Sequence, residues 1–195
     1  MGTMIELQAA DGTRVPAYEA RPSGSPKGAV VVIQEIFGVN SHIRNVADGY
    51  AAQGYVALPA PGVLQDIQAA IDHAAKASGG KVGIVGYCWG GLLTWRSACL
   101  LSGLSAAAPY YGGGVTTPEE AARSPKVPVL AHFAEEDKWI PLDTVDAFAK
   151  AHPEVQVHTY AAHHGFNCDQ RGAWHAPSAQ LARERTLAFF AKHLG

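Results

Sequence analysis

Val82-Gly83-Ile84-Val85-Gly86-Tyr87-Cys88-Trp89-Gly90-Gly91 is the stretch that decides how this chain folds. An apolar run that ends in Gly-x-nucleophile-x-Gly and passes straight into a helical pattern is a nucleophile elbow, here with cysteine where serine is usual. The glycines two before and two after the nucleophile serve a steric purpose, because strand and helix must pass close together around a strained turn. A thiol in that turn meets the positive end of the following helix, which favours the thiolate. The same helix end leaves backbone N–H groups free to face a developing oxyanion. The plain alternative is a buried cysteine beside a glycine-rich turn. The spacing, the preceding strand and the following helix all speak against it.

Working outward from the elbow, apolar runs and helical periods alternate along the whole chain. Met4 to Leu7 and Arg14 to Glu19 read as an opening hairpin around the turn dipeptide Asp11-Gly12. Gly28 to Gln34 is continuous enough for a strand buried on both faces. From Ser41, read as an N-cap, apolar positions at helical spacing run to Gly54. Tyr55 to Leu58 is a strand, Leu64 to Ala77 a helix, and Lys81 to Val85 the strand of the elbow. Leu92 to Leu101 is helical, Ala106 to Tyr110 and Val127 to Ala134 are strands, and Leu142 to His152 is helical. Val155 to Tyr160 is the last strand and Ala179 to His193 the closing helix. Strands separated by helices of this length predict parallel pairing and a three-layer α/β sandwich in one domain over residues 1–195.

Ligands of such sheets bind beyond the carboxyl ends of the strands. After the strand ending at Ala134 come Glu135, Glu136 and Asp137; after the one ending at Tyr160 come His163 and His164. With Cys88 they give the chain order nucleophile, acid, histidine. The imidazole would keep the thiol ionised and later assist water, while a carboxylate fixes its tautomer. Either histidine and any of the three acids fit these roles. The loop after the third strand, Gln34-Glu35-Ile36-Phe37-Gly38, is placed to supply the second oxyanion amide, so Ile36 and Trp89 are the expected donors. Glu35, at the end of a buried strand, needs a perturbed pKa or a partner, and Arg44 is the nearest basic residue in sequence.

Composition narrows the function. With 195 residues, 48% of them hydrophobic, the chain can bury a core without staples. Fifteen basic against seventeen acidic residues, with no basic run, argue against a nucleic-acid partner. No apolar stretch approaches about eighteen residues, and Met1 to Leu7 has no signal-peptide pattern; the expectation is a cytoplasmic protein away from membranes. The three cysteines, Cys88, Cys99 and Cys168, include no C-x-x-C pair, so neither a disulfide framework nor a zinc site is expected, and no cofactor is implied. A metal site at His132, His163 and His164 has weaker support still. Cys99 reads as core; Cys168 follows the histidine loop toward the cleft, with no base of its own in the pattern.

Four motifs together, Gln34-Glu35-Ile36-Phe37-Gly38-Val39-Asn40, Gly86-Tyr87-Cys88-Trp89-Gly90-Gly91, Asp137 with Ile140-Pro141, and His164-Gly165-Phe166, resemble the dienelactone hydrolase family. The resemblance runs from about Ala29 to Phe190 and includes Glu184-Arg185-Thr186-Leu187. It implies an α/β-hydrolase fold, a Cys88, His164, Asp137 triad, and a Glu35 that helps deprotonate the resting thiol when substrate arrives. It implies hydrolysis of a small-molecule lactone or ester, of the carboxymethylenebutenolidase type, by a monomer or weak homodimer without metal. A non-catalytic binding member of the superfamily is the alternative that the intact triad argues against.

The chain also departs from the family. Between Leu58 and Asp66, where members usually carry a long excursion over the active site, Pro59-Ala60-Pro61-Gly62 bridges the gap. One arginine that grips the substrate carboxylate belongs to that excursion; the other lies four residues past the catalytic histidine, where this chain has Cys168. Arg171 and Lys138 are the cations near enough in sequence to replace them. An open cleft with weak selection for acidic lactones is expected, walled by Phe37, Trp89, Trp139, Tyr111 and Phe166.

Overall fold

The computed structural model describes residues 2–60 and 63–195. Pro61 and Gly62, half of the short bridge after the second sheet strand, lie outside the described residues. Two strands, β1 (Thr3–Gln8) and β2 (Arg14–Glu19), form the antiparallel hairpin expected at the start. Its turn is held by Asp11 Oδ1, which accepts from Thr13 N at 2.9 Å.

The main sheet has six parallel strands: β3 (Gly28–Ile33), β4 (Tyr55–Ala60), β5 (Val82–Tyr87), β6 (Leu104–Tyr110), β7 (Leu130–Ala134) and β8 (Gln156–Tyr160), in the order β4-β3-β5-β6-β7-β8. Every residue of β3 and β5 is buried, as two-faced coverage requires. Pro59, which cannot donate to a ladder, is tolerated because β4 is the outermost strand of this sheet. Helices α1 (Ser41–Ala52) and α6 (Ala176–Leu194) pack together on one side, where Tyr50 meets Phe190. On the other side lie α2 (Leu64–Ser78), α3 (Trp89–Leu100) and α5 (Leu142–Ala151), with Trp95 of α3 edge-on to Phe148 of α5. A short α4 (Pro118–Ala121) accepts the Trp95 indole N–H at the carbonyl of Glu120.

Several boundaries differ from the sequence reading, among them the start of β7, at Leu130 and not Val127, and of β6, at Leu104 and not Ala106. The N-cap of α1 is Asn40, whose Oδ1 accepts from Ile43 N at 3.0 Å, not Ser41. Helix α3 begins at Trp89, directly after the nucleophile, and α6 begins at Ala176. In α3 the first turn is glycine, which hides the apolar period that marks a helix start. The one-turn α4 is too short to show a period at all. Among the described residues no helix is long and apolar enough to cross a membrane.

Candidate active site

The elbow is built by backbone crowding. A methyl group on Gly86 would run into the carbonyl of Gly90, and one on Gly90 into the carbonyls of Ile33 and Gln34. Only glycine lets α3 start this close to β3 and β5. Cys88 itself is held at φ 57°, ψ −116°, a strained conformation for a residue with a Cβ, and its N–H donates to Tyr110 O at 3.0 Å. The strain projects a half-buried thiol above the sheet.

The loops after β7 and β8 bring one histidine and one acid together. His164 Nδ1 lies 2.6 Å from Asp137 Oδ2, and both side chains are buried. Asp137 Oδ1 accepts from Trp139 N at 2.9 Å and from Ile140 N at 3.3 Å, so the carboxylate is fixed from both sides. Glu135 instead accepts from Thr159, and Glu136 and His163 form an exposed pair at 3.3 Å. His164 also reaches Cys88. Burial pulls its pKa down, but the hydrogen bonds to Asp137 and Cys88 and the charges on both outweigh it, raising the imidazole to about 9. His132 is no part of this group: its nitrogens are spent on Tyr160 OH at 2.8 Å and Thr186 Oγ1 at 2.9 Å.

Glu35 follows β3 and is 2% exposed, with Oε1 lacking a hydrogen-bond partner among the described residues. Burial raises its pKa, against the pull of Arg171, His42 and His164. Its ion-pair partner is Arg171, 3.8 Å away, and not Arg44, which bonds the carbonyl of Val39 and leans over Tyr18. The α1 helix carries Arg44 to the hairpin side; nothing in the sequence marks Arg171 as the partner. Its guanidinium also covers the Phe37 ring, 5.3 Å from the centroid.

Neither the Ile36 nor the Trp89 N–H donates to a protein acceptor among the described residues. Around them Ile36, Phe37 and Trp139 are exposed, 67%, 56% and 71% respectively, and form an apolar rim. Trp139 stands edge-on to the His164 ring at 4.9 Å. Tyr111 and Phe166, expected as walls, are fully buried. They pack under the site, Tyr111 edge-on to His164 at 5.1 Å and to Phe166 at 5.2 Å, because the residues that leave β6 and the histidine loop turn inward to fill the layer below.

The dienelactone hydrolase family model matches residues 15–64 and 59–194. This chain belongs to the dienelactone hydrolase family. A carboxymethylenebutenolidase of Pseudomonas putida is 31% identical over an alignment covering 96% of this chain and 95% of that one. That alignment spans 225 positions, more than the 195 residues of this chain, so the relative fills positions this chain lacks. A crystal structure assigned to the dienelactone hydrolases, from Klebsiella pneumoniae, superposes with a TM-score of 0.88 at 28% identity over 99% of both chains. An esterase from Thermogutta terrifontis, 18% identical, shares the fold at a TM-score of 0.78 over 98% of this chain and 94% of that one. Together these place the chain among α/β-hydrolase folds and among hydrolases of this general type.

Proposed function

We propose that the chain hydrolyses lactones or carboxylic esters through a thioester on Cys88. The observation that carries this reading is the strained Cys88 elbow facing a buried His164–Asp137 pair. With the thiol proton held on His164, the sulfur attacks the ester carbonyl, and the Ile36 and Trp89 amides hold the oxyanion. The tetrahedral intermediate expels the alcohol or enolate, which takes its proton from His164. Water, deprotonated by His164, then cleaves the thioester and frees the thiol. One oxyanion donor contributes about 3 kcal/mol to the barrier, so losing the Ile36 amide would slow turnover roughly a hundredfold or more.

Glu35 suits the family role suggested for it. Burial raises its pKa, which makes its carboxylate a stronger base toward the thiol when substrate arrives, and Oε1 has no hydrogen-bond partner among the described residues. The two family arginines for a substrate carboxylate have no counterpart at their usual positions. The open apolar rim of Ile36, Phe37 and Trp139 favours a broad esterase that takes neutral acyl groups. The two segments of the family match meet at 59–64, which supports a shortened connection there.

The test is a panel of dienelactone and neutral p-nitrophenyl esters, each assayed with and without a thiol-alkylating reagent. Comparable kcat/KM across the panel, abolished by alkylation, is the expected result. Strict dependence on a substrate carboxylate would sink the open-cleft reading, and alkylation-resistant turnover would sink the nucleophile.

A further inference from the structure

The molecule holds a second group of cysteine, histidine and aspartate besides the one around Cys88. His42 on α1 lies with its Nδ1 2.8 Å from Asp169 Oδ1, and Cys168 completes the group. The imidazole nitrogen, the Cys168 sulfur and the Asp169 carboxylate oxygen all lie within 4.8 Å of one another. His42 is 4% exposed and Cys168 2%. His42 Nε2 is buried without a hydrogen-bond partner among the described residues. Nδ1 is the ring nitrogen that faces Asp169, so a cation held with that carboxylate takes the Nδ1 lone pair and the ring proton moves to Nε2.

We propose that His42, Cys168 and Asp169 bind a borderline-soft divalent cation, with Zn²⁺ the best match. The donor set is the one zinc prefers: a thiolate, an imidazole and a carboxylate. A cavity of about 530 Å³ between α1 and α6 opens onto His42 and Asp169 and is also lined by Asn45, Asn167 and Trp174. On binding, the thiol gives its proton to solvent and the sulfur lone pair forms the bond to the cation. The contact between His42 and Asp169 spans 127 positions, so no ligand spacing in the sequence displays the group.

The test uses the whole chain with Cys88→Ser, which removes the reactive thiol as a competing ligand and makes the outcome independent of the hydrolase reading. Equilibrium dialysis against Zn²⁺ should give one equivalent per chain. Substitution by Co²⁺ should give a thiolate-to-cobalt charge-transfer band. Adding Cys168→Ser should abolish the band, and adding Asp169→Asn, at a half-exposed carboxylate, should weaken Zn²⁺ binding about 10-fold or more. A band that survives Cys168→Ser, Zn²⁺ affinity unchanged in Asp169→Asn, or no Zn²⁺ bound by the Cys88→Ser protein would each overturn the proposal.

Discussion

Two cysteine, histidine and aspartate groups sit in one small chain, and their surroundings give them different chemistry. In the Cys88 group, histidine and aspartate are both buried and 2.6 Å apart, and the thiol stands on a strained turn at a helix start. In the Cys168 group the histidine is buried but the aspartate is half exposed, the contact is 2.8 Å, and the thiol sits in a loop with no helix beginning behind it. The same three residue types therefore do not make the same site. The elbow adds a thiol at a helix start, with the Ile36 and Trp89 amides free of protein acceptors among the described residues.

The sharpest way to break that contrast is to remove each thiol in turn. Cys88→Ala should lower kcat/KM for a p-nitrophenyl ester by about 10⁴-fold or more, the scale on which loss of a covalent nucleophile is felt. Cys168→Ala should stay within about threefold. Equal losses would show that the second group belongs to the catalytic machinery after all.

The elbow's glycines give the next largest effect, on stability. Gly86→Ala forces a methyl into the carbonyl of Gly90 with no flexible side chain to yield, an overpacking cost of about 1–3 kcal/mol. For a chain of this size that is a fall in Tm of about 2–12 °C. An unchanged Tm would mean that the close approach of α3 to β3 and β5 is not required.

The third test follows the proton on His164. Its pKa is raised to about 9 from an ordinary value of 6.5, so its stabilising contribution is full below 6.5 and is lost as the pH rises through 9. In Cys88→Ala one hydrogen bond and one charge disappear, and the imidazole should titrate lower by NMR. The decline in Tm between pH 6.5 and 9 should shrink with it. A His164 titration unmoved by Cys88→Ala would separate the thiol from the pair.

The elbow was legible because its constraints are local: a buried run, two glycines at fixed offsets and a nucleophile between them. The parallel order of the sheet followed from alternation, and the post-strand loops narrowed the acid and the base to a few neighbours. Backbone geometry then had to choose His164 over His163, since adjacent side chains diverge and only one turns toward Asp137. Pairings across the fold were beyond reach. Arg171 on Glu35 and His42 on Asp169 each join distant loops or helices, and no periodicity encodes them. Asn40 in place of Ser41 as the cap was a choice between two good capping residues one position apart, which the first helical turn alone decides.

The smallest effect tests the rim. Trp139 is exposed yet edge-on to His164, while its backbone N–H, not its ring, serves Asp137. Trp139→Ala therefore leaves the carboxylate's hydrogen bonds in place and removes only the apolar face above the imidazole. An aromatic contact of this kind contributes about 0.5–1.5 kcal/mol, equivalent to about 2- to 12-fold. For aryl esters that loss should fall on KM with kcat nearly unchanged, because the ring holds substrate and transition state alike. Trp174→Ala, on the cavity beside the Cys168 group, should leave KM for the same esters unmoved. If Trp139→Ala lowers kcat instead, the ring orients His164, and the rim is then part of the machinery that separates the first group from the second.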